Sequence, residues 1–355
     1  MRRRAFLAGA GALAVAPRPA QASGAAEAFV AAQGVPGLSW AIRRRDGTML
    51  EGAAGVADLA TLEILTPGHR MRIASVSKPL TAAVVLTLAA EGKLRLTDRV
   101  LGPDALLGPG FWPEPAVPWA DRLRRITVDH LLTHTSGGWP NGLFDPAFWN
   151  PSLSRTEMIR ATLGGLPLVV DPGRAFGYSN FGYCLLGRMI ERVTERSYRD
   201  VVADRLLTPA GVTGCELMSR GGLLPGEAAY HTGAVGFHAM DADRMDAFGG
   251  WVASPRDLAT LFAAMDGTLP DVLPPEVPVR MAEPWRPGAA YGRGLIVSPY
   301  HRNRWHDGFL PGTCALAIMV EGGDCIAAMT NGSDAGTPLA LEALAWRLYE
   351  AAGAP

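Results

Sequence analysis

Lysine is almost missing from this chain. Of the 33 basic residues only Lys78 and Lys93 are lysines, and all the others are arginines. A surplus of charge is missing too. The 33 basic residues meet 34 acidic ones, a formal net charge of −1, which leaves no electrostatic footprint for nucleic acid or an anionic membrane. Cysteine is sparse: Cys184, Cys215, Cys314 and Cys325 suit an oxidising compartment but fit no metal-ligand spacing. A hairpin turning at Glu321–Asp324 would set Cys325 opposite Val320, roughly 20 Å along the strand from Cys314. That is too far for a bridge, so the expectation is free, buried thiols. Past the N-terminus no run of 18 uncharged apolar residues occurs, so no membrane-spanning helix is expected. The chain has no internal repeat, G-x-S-x-G elbow, P-loop, H-E-x-x-H or C-x-x-C, and implies no metal or organic cofactor.

The first residues read as an address. Arg2-Arg3-Arg4 precede Phe6-Leu7 and an alanine- and glycine-rich run reaching Ala16, and Ala20-Gln21-Ala22 has the small-x-small form of a cleavage site. This resembles a twin-arginine export signal over residues 1–22, with a periplasmic destination. Residues 23–355 would remain as a sheet region (about 23–95 and 250–355) and a mostly helical region (about 96–249).

Taken in order, a helix at 25–33 precedes strands at 37–42 and 48–56, turned at Asp46-Gly47. A helix starting at Ser75 runs through the all-apolar stretch Leu80–Ala90, so it belongs in the middle of the protein. Pro79 is tolerable only near such a helix's start. Residues 108–115 read as a proline-rich loop, 127–132 as a short helix and 139–151 as an aromatic loop with Phe144, Phe148 and Trp149. Helices follow at 154–163, 181–193, 197–207 and 254–264, where Ser254-Pro255-Arg256-Asp257 is a capped start. The period then turns to strands at 294–299, 303–307, 313–320 and 325–330, and a helix at 338–351 closes the chain. Strands at both ends with helices between point to an α+β sandwich. One antiparallel sheet, drawn from the N- and C-terminal segments and flanked by helices, would carry a helical insertion beside a cleft.

The lysine that was spared lies in Ser75-Val76-Ser77-Lys78. Residues at i and i+3 share a helix face. Arginine stays protonated, whereas a partly desolvated lysine can take a proton from a hydroxyl. The helix start favours developing negative charge. Two further clusters stand out: Tyr178-Ser179-Asn180 in a turn feeding a helix, and His306-Asp307-Gly308 on a C-terminal strand. Tyr178 can serve as a base or proton relay if nearby cationic charge favours its phenolate. Asn180 can offer an amide donor and acceptor to a substrate amide or to Lys78. Strand alternation puts His306 and Gly308 on one face. His134, in a turn motif, reads as structural.

With these three motifs in this order, the sequence resembles the serine hydrolases of the class C β-lactamase, D-alanyl-D-alanine carboxypeptidase and esterase group. Leu131-Leu132-Thr133-His134-Thr135-Ser136-Gly137, the Gly-Tyr-x-Leu-Leu-Gly after Tyr178 and Gly249-Gly250 agree as well. The resemblance implies a β-lactamase/transpeptidase-like fold, a Ser75 acyl-enzyme and Lys78 with Tyr178 as its proton-transfer partners. It also implies His306 as a donor or charge at the cleft wall, Gly308 as a point of close approach, and an oxyanion hole from the N–H groups of Ser75 and Phe309.

One residue departs from that pattern. Asp307 stands where penicillin-recognising members carry a small hydroxyl residue that helps hold a substrate carboxylate. A carboxylate there would repel another by roughly 1–4 kcal/mol. The expected substrates are therefore neutral or amine-bearing small esters, amides or peptides. β-Lactamase or carboxypeptidase activity is the alternative, and a non-catalytic penicillin- or peptide-binding receptor is the alternative of another class.

Overall fold

The strands in the middle of the sheet carry almost no polar side chain, because both of their faces are covered. A computed structural model describes residues 19–113, 117–148, 150–232 and 242–353; residues 1–18 of the expected leader, Trp149 of the aromatic loop and Glu114 and Pro115 of the proline-rich loop lie outside them. Strands run over Gly37–Arg43 (β1), Met49–Asp58 (β2), Glu63–Ile64 (β3), Met71–Arg72 (β4), Glu216–Leu217 (β5), Trp251–Ala253 (β6), Ile296–Val297 (β7), Arg304–Leu310 (β8), Thr313–Met319 (β9) and Cys325–Thr330 (β10). Helices run over Pro19–Gln33 (α1), Ser77–Ala90 (α2), Ala120–Arg124 (α3), Val128–Leu132 (α4), Arg155–Gly165 (α5), Asn180–Thr194 (α6), Tyr198–Val202 (α7), Ala242–Met245 (α8), Pro255–Asp266 (α9), Glu276–Ala282 (α10) and Thr337–Ala351 (α11). Among these residues seven strands form one sheet in the order β3-β2-β1-β10-β9-β8-β7, and β4-β6-β5 form a smaller one. All neighbours in the large sheet are antiparallel. The architecture is the expected α+β sandwich, with the sheet drawn from the two ends of the chain.

Strand alternation divides the core in two. Leu38, Trp40, Ile42, Leu316, Ile318 and Ile326 face α1 and α11, where they meet Phe29, Leu341, Leu344 and Leu348. The alternate positions Ala41, Ala315, Ala317 and Ala327 are small and belong to the other core with Leu258 and Phe262 of α9. Alanine on that face lets α9 lie close against β1, β9 and β10. Helix α2 is buried along nearly its whole length, which explains its lack of an amphipathic stripe.

Several details differ from the sequence reading. The strand expected over 294–299 pairs only at Ile296 and Val297, whereas the one expected to end at Asp307 continues to Leu310. Helix α7 stops at Val202 and a wider turn carries on to Leu207. Ser75 precedes the α-helix, in a tight 3₁₀ turn over Ala74–Val76 that leads into Ser77. The β9–β10 hairpin is one residue longer than anticipated: Cys325 pairs with Met319, not Val320, because Gly322 and Gly323 both take positive φ, 106° and 99°. All four cysteines are free and buried.

The short β7 shapes the site. It covers β8 only at Arg304 and Trp305. The Ser298 N–H donates to the Asn303 carbonyl, so odd-numbered residues of β8 direct their backbone groups to that side. Beyond Trp305 the N–H groups of Asp307 and Phe309 therefore face an uncovered edge, and the Ala74–Val76 turn packs there.

Candidate active site

Ser75 reaches this edge through a strained backbone. Ala74, just before it, has φ 47°, a left-handed conformation that costs a non-glycine residue about 1 kcal/mol or more. Gly308 makes the approach possible: a methyl group there would run into the Ile73 carbonyl oxygen and lie 3.0 Å from the Ala74 Cβ and the Ser75 nitrogen. The Ser75 N–H is among the unpaired donors that open a helix, and it stands beside the free edge of β8. The two donors expected of an oxyanion hole thus come from neighbouring backbone segments.

Lys78 is fully buried. Its Nζ lies 2.9 Å from Ser75 Oγ and 2.9 Å from the Phe248 carbonyl oxygen. It also sits over the Tyr178 ring, 4.8 Å from the centroid. Burial pushes the ammonium down to about 7, with Asp145 and Asp307 pulling the other way. Tyr178 is half-buried at the cleft, and desolvation raises its phenol above the usual range despite a hydrogen bond with the Ser75 side chain. The two neighbours of the hydroxyl therefore differ at neutral pH: Lys78 has an accessible neutral amine, and Tyr178 remains a phenol.

The Phe248 carbonyl is itself held. Asp246, almost fully buried, accepts from Arg188 at 2.6 Å, Arg155 at 2.8 Å and the Ala247 N–H at 2.7 Å. The Ala247 carbonyl accepts from Thr81 of α2 at 2.6 Å. This charge cluster ties the loop ahead of β6 to α2, one turn beyond Lys78.

Asn180 opens α6 next to the Ser179 N-cap. Its Nδ2 donates to Asn141 at 2.8 Å and to Asp145 at 2.6 Å, while its buried Oδ1 has no partner. Turning the amide would set oxygen against the Asp145 carboxylate, so the free acceptor stays where it is. His306 is 2% exposed, and burial lowers its pKa. Its Nε2 meets Tyr291 and its Nδ1 the Asp307 carbonyl. Both ring nitrogens are engaged inside the protein, which leaves no ring donor for the cleft. Asp307 lines the cleft, and among the described residues its side chain forms no hydrogen bond or ion pair.

These groups lie on a cleft of about 1050 Å³, walled by Phe148, Phe176, Phe248, Trp285, Tyr291 and Phe309. It is large enough for a small organic substrate and mostly apolar, with polar groups converging at Ser75. Arg286 stacks on Trp285 at 4.5 Å and also lines it. The structure thus brings Ser75, Lys78, Tyr178, Asn180, His306, Asp307, Gly308 and Phe309 to one place. Sequence reasoning did not single out Asp145, Tyr291 or the Phe248 carbonyl. Only the glycines around Tyr291, in Tyr291-Gly292-Arg293-Gly294, marked it locally, and a backbone carbonyl leaves no sequence signal.

Comparison with known proteins agrees with this geometry. The Beta-lactamase family model matches residues 22–351. This chain belongs to the beta-lactamase family. Penicillin-binding protein 4 of Amycolatopsis lactamdurans is 35% identical over 178 residues, 50% of this chain and 44% of that protein; the match spans less than half of that relative's length. Among solved structures, a D-stereospecific amidohydrolase from Streptomyces sp. superposes with TM-score 0.73 at 26% identity, covering 93% of this chain and 99% of the other. The octameric penicillin-binding protein homologue from Pyrococcus abyssi gives 0.72 at 25% identity, covering 91% and 74%. The fold and family are those of beta-lactamase-type serine hydrolases. Among the described residues no helix is long and apolar enough to cross a membrane.

Proposed function

We propose that this protein is an exported serine hydrolase that forms an acyl-enzyme on Ser75, with small esters or amides as substrates, amine-bearing acyl groups included. The observation that carries this is the Ser75 hydroxyl, 2.9 Å from a buried Lys78 amine on the floor of an apolar cleft. Neutral Lys78 takes the hydroxyl proton while Oγ adds to the substrate carbonyl. The Ser75 and Phe309 N–H groups hold the resulting oxyanion, a contribution of about 3–4 kcal/mol to barrier lowering. Collapse breaks the bond to the leaving group, which takes the Tyr178 phenol proton, and the Lys78 ammonium restores that proton. Water then repeats the sequence against the acyl-enzyme.

Asp307, whose side chain forms no hydrogen bond or ion pair among the described residues, and the unpartnered Asn180 Oδ1 are acceptors at the cleft, which favours an ammonium on the substrate over a carboxylate. The likeness to a protein named a D-stereospecific amidohydrolase supports an amide as the scissile group. The penicillin-binding relative supports the second reading, β-lactamase or D-Ala-D-Ala carboxypeptidase; against it stands Asp307. Export rests on the arginine-led leader, and mass spectrometry of the secreted protein should find an N-terminus near Ser23.

A fluorophosphonate probe should label the wild type and leave Ser75→Ala unlabelled, with p-nitrophenyl ester hydrolysis lost in the variant. Undiminished hydrolysis by Ser75→Ala sinks the acyl-enzyme reading. Stoichiometric labelling without turnover means a receptor. Faster turnover of nitrocefin than of the ester favours the β-lactamase reading.

A further inference from the structure

Three buried rings outside the Ser75–Lys78 pair join two of the motifs. The Ser179 N–H faces His134 Nδ1 at 3.2 Å, His134 Nε2 faces the Tyr291 hydroxyl at 3.2 Å, and that hydroxyl faces His306 Nε2 at 3.2 Å. His306 Nδ1 then meets the Asp307 carbonyl at 2.6 Å. His134, Tyr291 and His306 are 1%, 5% and 2% exposed, so water does not compete for these bonds.

The two ends determine the direction of the whole chain. A backbone N–H only donates and a carbonyl only accepts. His134 Nδ1 must accept, so its proton is on Nε2 and goes to the Tyr291 oxygen. Tyr291 then spends its own proton on His306 Nε2, and His306 carries its proton on Nδ1. Tyr183 stands beside these groups: its hydroxyl donates to the Leu132 carbonyl at 2.9 Å, and its oxygen is a second hydrogen-bond partner of the Tyr291 hydroxyl, but neither bond touches the two ends that set the His134 and His306 tautomers. The rings also pack on Tyr178: the His134 centroid lies 4.2 Å from it and the Tyr291 centroid 6.4 Å. His134 adopts φ 56°, and its carbonyl accepts from the Gly177 N–H at 2.8 Å. A strained turn is thus docked onto the segment that presents Tyr178.

We infer that His134, Tyr291 and His306 form a one-way hydrogen-bond chain that holds the Tyr178–Asn180 segment and the free edge of β8 in fixed relation across the cleft, with His134 and Tyr291 as positioning residues for Tyr178 and the Phe309 N–H. The positioning part rests on the hydrolase reading; the direction of the chain does not. Both rings are neutral in this arrangement, because a second proton on His134 would oppose two N–H groups and one on His306 would oppose the Tyr291 proton.

Nitrogen NMR of the wild-type protein labelled in its seven histidines, assigned through single His→Asn variants, tests the direction. At neutral pH His134 should be the Nε2–H tautomer and His306 the Nδ1–H tautomer. A doubly protonated ring, or His306 carrying its proton on Nε2, overturns the chain. For positioning, Tyr291→Phe should lower kcat at least about tenfold while KM stays within about threefold. Because both substitutions break one network, His134→Phe combined with Tyr291→Phe should cost no more than the worse single change. Unchanged kcat or additive losses overturn the positioning role. A wild type without Ser75-dependent hydrolysis overturns it as well, while the tautomers still decide the chain itself.

Discussion

Lys78 is where residue chemistry is most exposed to test. A buried ammonium without a carboxylate in contact loses solvation, and the balance against Asp145 and Asp307 leaves it near 7. The catalytically useful form is neutral, and its fraction grows as pH rises. The rate constant kcat/KM should therefore climb through a single ionisation near pH 7 and then level off. Lys78→Arg should remove at least about 100-fold of the rate, since a guanidinium cannot accept the Ser75 proton. A flat pH profile, or an active arginine variant, would move the base elsewhere. Asp307→Ser makes two linked changes. Removing a carboxylate that supports the Lys78 ammonium should shift the pH midpoint downward. Relieving repulsion of about 1–2 kcal/mol should raise kcat/KM for the carboxylate-bearing nitrocefin about 5- to 30-fold relative to a neutral ester. If neither moves, Asp307 is not part of substrate selection.

At the scale of elements, the site is an agreement between one turn and one strand edge. The short β7 leaves β8 uncovered past Trp305, and Gly308 lets the Ser75 turn settle against that edge. A side chain at this point must push the two apart. Gly308→Ala should cost about 1–3 kcal/mol of stability through overpacking. It should also lower kcat by about 10²- to 10³-fold as the Phe309 N–H retreats from the reacting carbonyl. Urea unfolding together with steady-state kinetics checks both, and an alanine variant with wild-type kcat would dissociate Gly308 from the site. The Arg188–Asp246–Arg155 cluster acts similarly at a distance, through the loop whose Phe248 carbonyl receives Lys78.

Across the whole molecule the sheet separates stability from chemistry. Leu344 of α11 belongs to the core on the face away from α2 and α9. Leu344→Ala should destabilise the fold by about 2–5 kcal/mol. The kinetic constants per folded molecule, counted by active-site titration, should stay unchanged. Altered kcat in the folded fraction would mean that the two cores communicate.

From the residues alone came the strands at the two ends of the chain, the apolar α2, the helix cap at Ser254 and the three separated motifs. Each depends on spacing along the chain, and spacing is what a sequence records. Folding decided which groups meet. The 3₁₀ turn at Ser75, the extra residues of β8 and the one-residue shift of the Cys325 register follow from packing and from glycine φ angles. Asp145 joins Asn180 from 35 positions away and Tyr291 joins His134 from 157. The near-neutral amine of Lys78 is likewise a property of burial, since the same side chain in water would stay charged.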